Sequence, residues 1–201
     1  MVIKTKIVKL SDKKAVAKAV QVLRKGSLVI YPTETSYGIA ADATNRNAIK
    51  MINSLKKRAG KFMPIIVSDM RMAGKYIVLN NDVRKLMKKF MPGPLTLVAK
   101  KKKLKTKGML GGFRIPNNRF ARGLVKSFGK PITATSANIS GEPPIYKIRE
   151  IRKAFYGKVE MIVDAGNLPK RKPSTVYDAE RKVVIREGMI KEKDIIKAIG
   201  S

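Results

Sequence analysis

The chain has no cysteine and no histidine. The first absence removes disulfides, thiolate nucleophiles and thiolate metal sites; the second removes the commonest general base and the commonest zinc ligand. Ser-His-Asp and Cys-His chemistry are therefore excluded. No run of about 18 apolar residues occurs, and the first residues, MVIKTKIVKLSDKK, lack the long apolar segment of a secretory signal, so a soluble, cytoplasmic protein without membrane partners is expected. Acids are also scarce. Asp and Glu number 14 against 45 Lys and Arg, a net charge of +31. Such an imbalance is self-repulsive unless a polyanion neutralises it. A heat-tolerant surface laced with ion pairs would need comparable numbers of acids. Between Ala43 and Gly141 the only acids are Asp69 and Asp82, so the middle of the chain is its electropositive part. Any catalysis must rest on placement, hydrogen bonds and fixed positive charge, with a hard metal ion arriving on the substrate if one is needed.

What is present reads as one α/β domain over residues 1–201, with 44% apolar content to build its core. Ala15, Val16, Ala19, Val20 and Leu23 fall at helical spacing after a Ser11-Asp12 cap signal, and Gly26 supplies the stop. SLVIYP reads as a buried strand ended by Pro32, then the polar turn TETSYG. Helices are expected over Asn47 to Lys57, in NNDVRKLMKKF, near Asn118 to Ser127 and in KEKDIIKAI. Strands are expected in MPIIVSD, LTLVA, GGFRIP, KPITATS, VEMIVD, STVYD and KVVIRE. The alternation argues α/β, and the closely spaced late strands argue a mixed sheet. KKKKLKTKG, 100 to 108, reads as a solvated basic loop that makes point-charge contacts to nucleic acid.

Several stretches could carry chemistry. PITATSANISG, 131 to 141, holds hydroxyl and amide groups and no charge. In extended backbone, Ser136, Asn138 and Ser140 share a face that could bind a sugar, phosphate or base edge. Alternatively they cap turns with their own backbone. Thr33, Glu34, Thr35 and Tyr37 sit where a strand has just ended, the usual ligand edge of open α/β sheets, or else form a plain turn. Lys56 and Arg58 close a helix, where they either compensate its dipole by about 0.3–1 kcal/mol or hold a triphosphate. Ser174 and Arg186 lie near the last strands. Neither GxxxxGK[ST] nor GxGxxG is present.

In order, YPTETSYGIAADA, KKR, PGPLTLV, FRIP, ATSANISG, PSTVYD and IREG resemble the YrdC-like family of threonylcarbamoyl-AMP synthases over almost the whole chain. The resemblance implies a twisted mixed α/β sheet with flanking helices around a positively charged concave cavity. It implies condensation of L-threonine, bicarbonate or CO2, and ATP into threonylcarbamoyl-AMP and pyrophosphate. A separate transferase complex then modifies the adenosine beside the anticodon of tRNA. Lys56 and Arg58 resemble ATP phosphate ligands and the catalytic pair; Ser136, Asn138 and Arg186 resemble further ATP contacts. Thr33, Tyr37, Arg114 and Ser174 resemble the threonine site. Mg2+ would be held mainly through the nucleotide, with no protein metal site.

Three departures stand out. Ala59 replaces the Pro usual after the Lys-x-Arg element, Met91 stands where Trp commonly precedes PGPLTL, and no counterpart of the C-terminal domain of longer members is expected. The alternatives are a non-enzymatic basic RNA-binding module, and a nucleotide-binding protein of the same fold with another product.

Overall fold

A computed structural model describes residues 3–58, 63–102 and 112–200. Ala59 and the greater part of the basic loop, 103–108, lie outside the described residues. The chain runs β1 (Lys6–Lys9), α1 (Ala15–Arg24), β2 (Val29–Pro32), β3 (Tyr37–Ala40), α2 (Arg46–Leu55), β4 (Ile65–Ile66), α3 (Met70–Tyr76) and α4 (Asn81–Phe90). It continues through β5 (Leu95–Val98), β6 (Gly112–Arg114), α5 (Arg119–Phe128), β7 (Ile132–Thr133), β8 (Thr135–Ser136) and α6 (Ile148–Phe155). Last come β9 (Met161–Asp164), β10 (Thr175–Asp178), β11 (Val183–Arg186) and α7 (Glu192–Ile199).

The helices start where short polar side chains meet free backbone N–H groups. Asn45, Asp69, Asn80 and Asn118 each accept from the first turn of α2, α3, α4 and α5, contacts that contribute about 1 kcal/mol each. The expected Ser11-Asp12 cap is displaced. Helix α1 begins at Ala15 behind Lys14, and Asp12 instead accepts from Lys14 N–H at 2.7 Å. At the other end Gly26, at φ 75°, donates to Leu23 O and stops the helix as expected.

The strands divide into two sheets, with orders β1-β9-β2-β3-β8 and β11-β10-β5-β6-β4-β7. Both mix parallel and antiparallel pairs. The expected strand in KPITATS is the joint between them. Ile132–Thr133 pairs with β4 in one sheet, and Thr135–Ser136 pairs with β3 in the other. Thr133 Oγ1 donates to Ile39 O at 2.9 Å and accepts from Ala41 N–H at 3.0 Å, tying the crossing to β3.

Burial decides which face is free. The five-stranded sheet is covered on both sides: Val29, Tyr31, Met161 and Val163 pack with α1 and α5, while Ile30, Ile39 and Ile162 pack with α2 and α6. The six-stranded sheet buries one face, Ile65, Leu95, Leu97, Phe113 and Tyr177, against α3, α4 and α7. Alternate residues of the same strands, among them Thr96, Arg114 and Val176, point to the other face. That face is left for a ligand. No helix among the described residues is long and apolar enough to cross a membrane.

Candidate active site

The uncovered face and the edge of the five-stranded sheet enclose a cavity of about 1180 Å3. Its walls come from the turn Thr33–Ser36, from Thr135 and Ser136 at the joint, and from Thr96, Arg114, Ser174, Val176 and Arg186 of the six-stranded sheet and its approaches. Arg171, Arg181, Asp178 and Glu180 line it too. Four guanidinium groups against two carboxylates make it electropositive. Of the nine candidate residues, Thr33, Tyr37, Arg114, Ser136, Ser174 and Arg186 line this cavity; Lys56, Arg58 and Asn138 do not.

Arg114 is 8% exposed and forms an ion pair with Glu34, whose Oε1 also accepts from Asn117 N–H at 3.0 Å. Glu34 Oε2 and Arg114 Nε are buried without a partner. Arg186 donates through Nη2 to Ser174 O at 2.9 Å and to Ser174 Oγ at 3.3 Å, and Ser174 Oγ lies 3.0 Å from Thr96 Oγ1. Desolvation first, and then the charge of Arg114, lower the pKa of Arg186, though a guanidinium stays protonated through this range. Two cations thus stand within each other's field on this wall, one of them already paired with Glu34.

Ser174 and Arg186 depend on one glycine. A Cβ on Gly188 would lie 2.1 Å from Pro173 O and 2.7 Å from the Ser174 carbonyl carbon. Thr175 Oγ1 accepts from the N–H groups of Gly188 and Ile190 at 3.0 and 2.9 Å, so the two segments are stitched there. Gly188→Ala should cost about 2–3 kcal/mol and lower the melting temperature by roughly 5–10 °C. An unchanged thermal melt would show that the segments can part freely.

Lys56 does not line the cavity. It is 3% exposed, and its Nζ donates to Ser136 O at 2.6 Å, Asn138 O at 2.6 Å and Asn138 Oδ1 at 3.1 Å. An ammonium has three protons, and all three are used. Burial, then the charge of Arg58, lower its pKa to about 8. Asn138 is equally committed, since its Oδ1 also accepts from Ser136 Oγ and its Nδ2 donates to Ile139 O and Glu142 O. Lys56 and Asn138 thus shape the loop that presents Ser136. The extended run expected through Ser140 breaks after Ser136: Asn138 N–H turns back to Ser136 O at 3.1 Å, and Ser140 N–H bonds Lys56 O at 3.0 Å.

Neither Lys56 nor Arg58 caps α2 with its side chain. Arg58 Nε donates to Asn53 Oδ1 at 3.1 Å, and its Nη2 is buried without a partner. Thr33 spends its hydroxyl on the turn, accepting from Thr35 and Ser36 N–H and donating to Ser36 O at 2.7 Å. Tyr37 does likewise, donating to Gly166 O at 2.7 Å and accepting from Ala165 N–H at 3.0 Å, so its hydroxyl holds the 165–166 segment.

These features place the chain among known proteins. Residues 21–188 match the Sua5/YciO/YrdC family, described as telomere recombination. The chain belongs to that family. It is 36% identical over 190 residues to the threonylcarbamoyl-AMP synthase of Pyrococcus abyssi, covering 89% of this chain and 55% of that protein. It is 36% identical over 203 residues to a putative threonylcarbamoyl-AMP synthase of Methanocaldococcus jannaschii, covering 94% and 96%. The structure of P. abyssi Sua5 complexed with L-threonine superposes with a TM-score of 0.88 at 32% identity, over 98% of this chain and 61% of that one. The chain thus spans a little over half of the P. abyssi synthase and nearly all of the M. jannaschii relative. The YrdC-like resemblance and the α/β fold hold.

The sequence reading passed over Ser36, Thr96, Tyr146, Arg171, Asp178, Glu180 and Arg181, all of which line the cavity. Thr96 carried a signal: a lone polar residue amid LTLV points opposite to its apolar neighbours. The arginines at 171 and 181 are hard to single out in a chain with 45 basic residues.

Proposed function

We propose that the chain is an L-threonylcarbamoyladenylate synthase. The observation that carries this is the pairing of Arg114 and Arg186 on the wall of a large cavity that is also lined by Arg171, Arg181 and several neutral hydroxyls. In this reading the planar fork of Arg114 receives the carboxylate of L-threonine, beside the turn held by Thr33 and the Ser174 hydroxyl. Ser136, shaped by Lys56 and Asn138, contacts ATP; Arg58 and Arg186 meet its phosphates. The threonine amine attacks CO2, drawn from bicarbonate, and loses a proton to solvent. A carbamate oxygen then displaces pyrophosphate from the α-phosphorus. This needs in-line placement and charge neutralisation, and no covalent protein intermediate. A site without His or Cys is adequate. Mg2+ enters with the nucleotide, bound mostly by phosphate oxygens and water.

The names of the relatives and the threonine complex of P. abyssi Sua5 support the reading. The activated product then passes, in the cytoplasm, to a separate tRNA threonylcarbamoyl transferase complex. With a charge of +31 the protein also binds RNA through counterion release, with a steep salt dependence. Mass spectrometry of a reaction holding ATP, Mg2+, L-threonine and bicarbonate should detect threonylcarbamoyl-AMP, and pyrophosphate release should require both threonine and bicarbonate. Release at full rate without threonine would sink the proposal in favour of another product.

A further inference from the structure

The edge strand of the six-stranded sheet carries a bulge that opens toward the cavity. Strand β11 ends the order of that sheet, and its pairing with β10 slips by one residue: Tyr177 faces Val184, but Val176 faces Arg186. Ile185 is the extra residue, so two residues of β11 stand opposite one of β10. In a regular strand consecutive side chains point to opposite faces. Across this bulge Ile185 and Arg186 both line the cavity, together with Val176, while Val184 packs against the core. Ile185 is 59% exposed, the highest value for a large apolar side chain among the described residues. A bulge that only blunted the edge would have no need of an aliphatic group, since charged side chains serve there. This one sets an apolar surface directly beside a guanidinium. A ligand that fits both has an anionic group next to a broad apolar one. Threonine offers a single methyl, and the residues given to it, Arg114 and Ser174, are only 8% and 6% exposed. ATP has the required form: a phosphate chain joined to a nucleoside with a flat, largely apolar face.

We propose that Ile185 is a substrate-binding residue whose side chain receives the nucleoside half of ATP, and holds it in the adenylate product after pyrophosphate leaves, while Arg186 meets the phosphates. The inference rests on the reading that Arg186 is a phosphate ligand. Its test compares ATP with tripolyphosphate, which shares the phosphate chain and lacks the nucleoside. Both are titrated calorimetrically, as magnesium salts, into the wild type and Ile185→Ala, with L-threonine titrated alongside. Covering the exposed part of an isoleucine changes affinity roughly tenfold, so Ile185→Ala should bind ATP roughly tenfold more weakly, with tripolyphosphate and threonine within about twofold of the wild type. Ile185→Val should recover part of the loss. Unchanged ATP binding in Ile185→Ala overturns the proposal. Equal losses for ATP and tripolyphosphate also overturn it, because Ile185 would then only set the aim of Arg186 through the bulge. A loss confined to threonine overturns it and gives the residue to the threonine site. Should Ile185→Ala melt below the assay temperature, Ile185→Val decides alone: a roughly threefold loss for ATP with none for tripolyphosphate supports the proposal, and equal effects on the two overturn it. A wild type that does not bind ATP overturns it outright. A wild type that binds ATP through Ile185 but makes no threonylcarbamoyl-AMP defeats the synthase reading alone and leaves the nucleoside contact standing.

Discussion

Replacing Lys56 by methionine is expected to lower both stability and the catalytic efficiency for ATP. The side chain of methionine fills much of the same volume but offers no donor to Ser136 O, Asn138 O or Asn138 Oδ1. Stranding buried acceptors of a charged donor costs about 1.5–3 kcal/mol apiece, and relief from burying an ammonium offsets part of that, so a net loss of about 2–4 kcal/mol is expected. The melting temperature should fall by roughly 5–15 °C. The loop carrying Ser136 then loses its anchor, and a displacement of about 1 Å at a positioning group reduces rate roughly a hundredfold. A direct phosphate ligand would behave differently, with turnover lost and the melt nearly unmoved. Differential scanning calorimetry beside steady-state kinetics separates the two.

The same residue gives a pH dependence with opposite signs for folding and activity. Its folded pKa of about 8 lies below the ordinary 10.5. Between those values the unfolded chain holds the extra proton, so this group adds stability as pH rises from about 8 toward 10.5. Activity should move the other way. A neutral amine has two protons for three oxygens, so the Michaelis constant for ATP should rise as pH passes about 8, and the rise should be absent from Lys56→Met.

The architecture was largely legible because apolar periodicity carries it. The expected helices and strands lie where spacing placed them, within a few residues. Among those the reading missed, β3 is fully buried but begins inside the run assigned to the turn TETSYG, while the others have weak patterns: β1 is mostly exposed, KIVK, and α3 is seven residues with one buried position, Ala73. Helix α6, IREIRKAF, is mostly charged, with Ile151 and Phe155 as its buried residues. The division into two sheets was not legible, since it depends on which partner each half of ITATS meets, and pairing is a long-range choice. At the site, residue types were legible and bonding was not. Thr33, Tyr37 and Lys56 each have a hydroxyl or ammonium that could serve a ligand, and in each the fold has already committed it to backbone oxygens. Glu34 is the converse. Its acid was visible in TETSYG, but its partner Arg114 is 80 residues away.

Arg58→Ala is expected to do what Lys56→Met does not, lowering activity with little change in stability. Lys56 has no proton to spare, whereas Arg58 makes one bond to Asn53 and keeps Nη2 buried and unpaired. Removing an unsatisfied buried donor relieves a cost as well as losing a contact, so the melting temperature should move by only a few degrees. If the guanidinium meets the triphosphate, its loss removes about 2–4 kcal/mol of transition-state stabilisation, and the catalytic efficiency for ATP should fall roughly a hundredfold. The Michaelis constant for threonine should stay near its wild-type value, because Arg58 is not among the residues lining the wall that holds Arg114. A second readout does not depend on the phosphate assignment. The charge of Arg58 is one of the two causes that lower the Lys56 pKa. Arg58→Ala should therefore carry the alkaline limb of the ATP profile to higher pH, while Arg58→Lys, which keeps the charge and loses the fork, should leave the limb in place and recover little efficiency. Near-normal turnover in Arg58→Ala, with the limb shifted as expected, would make Arg58 only a neighbour of Lys56 and move the triphosphate toward Arg171, Arg181 and Arg186.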